Sequence, residues 1–124
     1  MKTSDRKLIA ALRSGTNWLR VETGRWSKEM VENRKCMVCA SGSVEDEEHF
    51  LLRCPGYASQ RKAMIEGISA KTSWNIEVMR DDSRWMLQVL LGVRIGSKQE
   101  RSVITMALVK YIKGALMVRV QQLA

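Results

Sequence analysis

The chain has 124 residues, 45% of them hydrophobic and 27% charged, and a formal charge of +8. It is long enough for one packed core, it has no run of eighteen apolar residues and so no transmembrane helix, and its three cysteines argue against a closed disulfide framework. The basic excess flanks an acidic middle, with +5 over residues 1–35, −3 over residues 36–56 and +6 over residues 57–124, which favours a polyanionic partner such as RNA, DNA or anionic lipid.

The first residues, MKTSDRKLIAALRSG, scatter charges through their apolar part and do not read as a signal peptide. Together with the odd cysteine count this suggests a reducing compartment, nucleus or cytoplasm. Thr3 or Ser4 is expected to cap a helix from Asp5 to Arg13, with Leu8, Ile9 and Leu12 as its apolar stripe and Ser14-Gly15 as its end. Residues 16–35 read as extended and loop-like, anchored by Trp18, Leu19, Val21 and Trp26, with Gly24 permitting a turn.

All three cysteines and the one histidine fall in the next nineteen residues, spaced C-x2-C-x9-H-x4-C: Cys36, Cys39, His49 and Cys54. Cys3His is a standard tetrahedral set for structural zinc, and four protein ligands leave no open position for a water nucleophile. One structural Zn2+ is therefore the expected cofactor. Ser43-x-x-Asp46 matches a capping box and predicts a helix start at Ser43, with Glu45, Asp46 and Glu47 in its first turn. Five residues separate His49 from Cys54, about 140° around an ideal helix. Pro55 is expected to end the helix near Arg53 and turn Cys54 back toward the ion, because a residue before proline is driven out of the α region. Arg34, Lys35 and Arg53 flank the site and could offset its negative charge. A thioredoxin-type redox pair would need a βαβ context that the pattern lacks. No G-x-S-x-G, P-loop or Gly-rich dinucleotide fingerprint occurs, and no enzyme activity is expected.

Beyond the ligands, Tyr57 to Ala70 reads as a helix, while Thr72 to Asp82 carries no decisive pattern. Ser83 is expected to cap a helix bearing Trp85, Met86, Val89 and Leu90 and ending near Gly92. Ser97 is expected to cap the longest helix, running to about Leu123 and on the order of 40 Å long. The expected fold is mostly α and one domain: a small Cys3His zinc module (residues 1–60) followed by a helical bundle with a long C-terminal helix (residues 61–124).

The LR-x-G-T opening (Leu12 to Thr16), the ETGRW segment (Glu22 to Trp26), the C-x2-C pair and the VEDEEHFLLRCP-x-Y block (Val44 to Tyr57) come in a fixed order over residues 10–60. In that order they resemble the zinc-binding domain that follows the reverse transcriptase in many non-LTR retrotransposon proteins. The resemblance implies a non-catalytic module that contacts the element's RNA or the target DNA during target-primed reverse transcription. It also implies a fragment of a longer element protein or a descendant adopted by a host.

Zinc knuckles grip single-stranded nucleic acid with a rigid loop, basic side chains and an aromatic for stacking. Arg20, Arg25, Lys28, Arg34 and Lys35 are the basic candidates here, and Trp18 and Trp26 the stacking candidates, each Trp being weighed against plain core packing. The x9 gap is longer than in retroviral-type knuckles. The alternative function is a protein-interaction or dimerisation module. Val103, Ile104, Ala107, Leu108, Tyr111, Ile112, Ala115, Leu116 and Val118 give the last helix a broad apolar face that the domain encloses or that docks on a reverse transcriptase domain or a second copy. Membrane-surface binding through this basic amphipathic helix is a third and weaker alternative, since its lysines are few, and no membrane partner is expected.

Overall fold

The computed structural model describes residues 2–15, 17–73, 82–92 and 96–123. Thr16 of the LR-x-G-T opening and most of the Thr72–Asp82 stretch lie outside the described residues. The fold is helical, as the sequence predicts, and among the described residues the extended structure is one antiparallel bridge between Lys35 and Val44.

Helix α1 spans Thr3–Ser14, starting earlier than expected. Lys2 is its N-cap without a side-chain bond, so neither Thr3 nor Ser4 caps it. Asp5 in the first turn and Arg13 in the last suit the helix dipole. Gly15 ends the helix in the left-handed region at φ 74°, sending its N–H to the Ala11 carbonyl. Ile9 and Leu12 are buried.

The following segment is not extended. Arg20–Trp26 form α2, and Val31–Asn33 a 3-10 turn. No residue next to α2 caps it in the usual way, which is why the sequence reads as loop. The Arg20 N–H instead donates to the Glu45 carboxylate (2.7 Å), and the Val21 N–H to the Glu45 carbonyl (2.9 Å). Asn17 Oδ1 accepts from Leu19 N–H just ahead of the helix (2.9 Å). A residue twenty-five positions away thus satisfies donors that a helix start leaves orphaned.

Residues 34–45 fold back as a narrow arch. Cys36 N–H donates to the Ser43 carbonyl (2.8 Å) and Glu45 N–H to the Arg34 carbonyl (2.9 Å). Ser43 therefore sits in the arch and starts no helix. The helix begins at Glu47, and Asp46 caps it by accepting from His49 N–H (2.8 Å).

Helix α3 spans Ala58–Lys71, α4 spans Ser83–Leu91 and α5 spans Lys98–Leu123. Asp82, not Ser83, caps α4, its carboxylate accepting from Trp85 N–H (3.0 Å). Ser97 caps α5 as expected: its hydroxyl accepts from Glu100 N–H (3.1 Å) while Glu100 accepts from Ser97 N–H (3.2 Å), a reciprocal box. The last carbonyls of α4 are taken by arginines from other helices, Val89 and Leu90 by Arg101 and Leu91 by Arg13. Helix α5 packs along α3 and also touches α1 and α4. One apolar cluster joins Leu12, Leu19, Phe50 and Leu51 to Ile68, Leu90, Leu108 and Ile112, so residues on both sides of position 60 share a core.

Candidate metal centre

The four expected ligands converge. One ligand atom from each of Cys36, Cys39, His49 and Cys54 lies within 4.8 Å of all the others. Cys36 Sγ is 3.9 Å from Cys54 Sγ, and Cys39 Sγ is 3.3 Å from His49 Nε2. A tetrahedral zinc site with bonds of about 2.3 Å to sulfur and 2.0–2.1 Å to nitrogen has edges of roughly 3.5–3.8 Å. The two pairs approach those edges, and the four groups lie close enough together to hold one metal ion. The three cysteines are free thiols, Cys36 and Cys54 buried and Cys39 half-buried.

Two local structures bring them together. The first is the loop at the tip of the arch. Val38 and Cys39 amides donate toward the Cys36 sulfur, and the Ser41 amide toward the Cys39 sulfur. The second is a π turn at His49–Arg53, closed by Cys54 N–H donating to the His49 carbonyl (2.7 Å). A π turn carries more residues per turn than an α-helix, so it cancels much of the angular separation that an α-helix would put between His49 and Cys54. Cys54 then leaves the helix at φ −61°, ψ 119°, as a residue before proline should. The Gly56 amide donates toward the Cys54 sulfur, as the other loop amides do toward theirs. Gly56 is required there, because a Cβ would lie 2.6 Å from Val38 Cγ1.

The π turn disturbs the usual carbonyl pairing, and two side chains repair it. The i→i+5 partner of the Phe50 carbonyl would be residue 55, a proline with no N–H. Tyr111 of α5 donates its hydroxyl to that carbonyl instead. Arg61 of α3 donates to the Leu51 carbonyl (3.0 Å) and to the Cys54 carbonyl (2.8 Å). Phe50 sits at the centre of an edge-to-face aromatic group with Trp18, Tyr57 and Tyr111, at centroid distances of 5.7, 5.2 and 5.7 Å.

Burial and local hydrogen bonds set the ionisation of the four donors. Burial raises the Cys36 thiol and pushes Cys54 up to about 12. Burial also opposes the Cys39 thiolate, yet the hydroxyl and amide of Ser41 take it below its ordinary range. Burial lowers His49, which favours the neutral imidazole a metal needs. Glu45 is fully buried, with a carboxylate oxygen 3.7 Å from Cys36 Sγ, and is ion-paired to Arg119 of α5. Nothing near these two positions in the sequence announces the pair, since seventy-four residues separate them.

The acidic run thus divides its work: Glu45 pairs with Arg119, Asp46 caps, and Glu47 accepts from Asn17 (3.1 Å). Of the flanking cations, Arg34 spends its guanidinium on the Val21 and Glu29 carbonyls (2.9 and 2.7 Å), its stem crossing Gly24, where a Cβ would meet it at 2.5 Å. Arg53 lies 3.7 Å from Glu48, and Lys35 is exposed. Among the proposed nucleic-acid contacts, Arg20 is bonded to Glu29, and Arg25 lies 3.4 Å from Glu22 while largely exposed. Lys28 is exposed and holds a left-handed backbone at φ 59°. Trp18 is half-buried against Phe50, whereas Trp26 is 78% exposed.

Fold and site define a helical protein built on a Cys3His cluster able to hold a metal ion. No family model, no curated protein and no solved structure matches the chain.

Proposed function

We propose that Cys36, Cys39, His49 and Cys54 hold one structural Zn2+, and that the chain is a non-catalytic zinc-binding module for RNA or single-stranded DNA. The convergence of three sulfurs and one imidazole carries the metal reading. The donor set is the one zinc prefers, and four protein ligands complete its tetrahedron.

The nucleic-acid reading rests on charge and on one aromatic. The chain has a formal charge of +8. Arg25 and Lys28 are exposed on the segment leading into the arch and Lys35 at its foot, and Trp26 is exposed between Arg25 and Lys28. Lysine and arginine would follow the phosphates while the indole stacks on a base, worth roughly 1–3 kcal/mol per base. Arg20, Arg34 and Trp18 support this surface from within the fold. The resemblance of residues 10–60 to the zinc-binding domain of non-LTR retrotransposon proteins favours the same reading, as part of such a protein or derived from one.

The test is metal content of the purified protein by mass spectrometry beside a titration with a fluorescent single-stranded RNA. One zinc per chain is expected, with affinity that falls steeply as salt rises and drops in a Trp26→Ala, Lys28→Ala variant. No zinc would end the metal reading, and no binding at low ionic strength would end the nucleic-acid reading.

A further inference from the structure

A trough of about 780 Å³ runs between α3 and α5. The helices are antiparallel: Gln60 of α3 lies beside Gly114 of α5, and Lys71 shares the other end with Ser102. The trough follows α5 from Ser102 to Met117, roughly 22 Å or four helical turns. It is open because Ala63, Gly67, Ala107 and Gly114 line it with almost no side chain.

Glycine inside a helix costs about 1 kcal/mol relative to alanine. At Gly67 a Cβ would meet nothing within 4 Å, so packing within the chain does not require the glycine. Met106 and Met117 stand at the trough 62% and 68% exposed, flexible apolar groups without cover among the described residues. The charged residues lining it are all basic: Lys71 and Lys110, both exposed, and Lys113, which also pairs with Asp5 of α1 (2.8 Å). The acids of the two helices, Glu66 and Glu100, do not line it.

We propose that this trough docks an amphipathic helix of another protein, one with an apolar ridge of about four turns and Asp or Glu on its flanks. Small residues on the floor admit the ridge, the methionines adapt around it, and the lysines meet its acids. A second copy presenting the same face would set lysine against lysine. A nucleic-acid backbone would leave the thioethers uncovered. The surface is separate from the one proposed for nucleic acid, and neither proposal needs the other.

The experiment titrates the full chain into two fluorescein-labelled helical peptides of about 18 residues that share one leucine ridge, flanked by Glu in one and Lys in the other. Anisotropy should give saturable binding of the Glu peptide and at least about tenfold weaker binding of the Lys peptide. Gly67→Leu should abolish binding with the melting temperature unchanged or raised, and the Lys71→Glu, Lys110→Glu double variant should reverse the preference. Equal binding of both peptides, no binding of either, or unchanged binding by both variants would overturn the proposal. A dimer in sedimentation that Gly67→Leu dissolves would assign the trough to a second copy and overturn it. Displacement of the Glu peptide by single-stranded RNA would overturn it as well.

Discussion

Arg119, about one turn from the end of the last helix, forms an ion pair with Glu45, which is fully buried next to the Cys36 sulfur. The same guanidinium reaches the Trp18 carbonyl (3.3 Å), while Glu45 also accepts from the first N–H of α2 (2.7 Å). One pair thus ties together the arch that carries Cys36 and Cys39, α2 and α5. Removing one partner of a buried pair strands a charge, at about 3–5 kcal/mol. Arg119→Met is expected to lose about 3 kcal/mol or more in urea unfolding, and the Glu45→Gln, Arg119→Met double variant to recover part of it. Equal loss in both variants would mean that packing, not charge, is the cause.

Metal removal should reach well past the ligands. Structural zinc contributes roughly 10–16 kcal/mol in small peptides, and Phe50 and Leu51 of the π turn belong to the common core. Chelation is expected to unfold at least residues 16–56, read as loss of hydrogen-exchange protection there and a lower melting temperature. Cys54, held up to about 12, and the raised Cys36 carry their protons at neutral pH. Metal binding should then release about two protons or more and strengthen as pH rises, measured by calorimetry in buffers of different ionisation enthalpy. Unchanged exchange and melting after complete removal would contradict the first expectation.

Tyr111→Phe deletes the hydroxyl that serves the Phe50 carbonyl. Leaving a buried acceptor unsatisfied costs about 1–3 kcal/mol. The loss should come with faster exchange at the Cys54 amide, since the π turn is held on that side, and with weaker metal affinity. A destabilised variant with intact affinity would show that the turn holds its ligands without this bond.

Gly56→Ala should destabilise by about 1–3 kcal/mol through overpacking, because the new Cβ meets Val38 at 2.6 Å. Val38→Ala in the same chain should restore most of the loss. If it does not, the cost lies in the Gly56 backbone and not in the clash.

Glu100 is held down to about 2 by the hydroxyl and amide of Ser73 and by the Ser97 amide. A depressed carboxylate contributes stability that is present above its ordinary value near 4.5 and is lost as pH falls through 2. NMR should give a Glu100 midpoint near 2 and loosening of the Ser97 turn between pH 4.5 and 2. Glu100 is partly exposed, so added salt should weaken the effect. A midpoint near 4.5 would refute the link between Ser73 and α5.

Much of this was legible from residue order. The ligand spacing announced Cys36, Cys39, His49 and Cys54, and the proline after Cys54 announced its turn, because such preferences act over a few residues. Ser97 was readable as a cap for the same reason. Helix α2 was not, since Glu45 caps it from across the fold. Ser43 was misleading: its local box lost to the pairing of its carbonyl with Cys36. Asp82 outcompeted Ser83 from the position just before it.

Residue order alone therefore pointed to the four side chains that cluster and to the mainly helical character, because residue spacing and apolar period reside in short stretches of chain. Folding in three dimensions chose the π turn, the Tyr111 and Arg61 bonds that serve its carbonyls, and the burial of Glu45 against Arg119. Each of those joins groups far apart in the chain, and its stability comes from desolvation and packing that exist only once the core has closed.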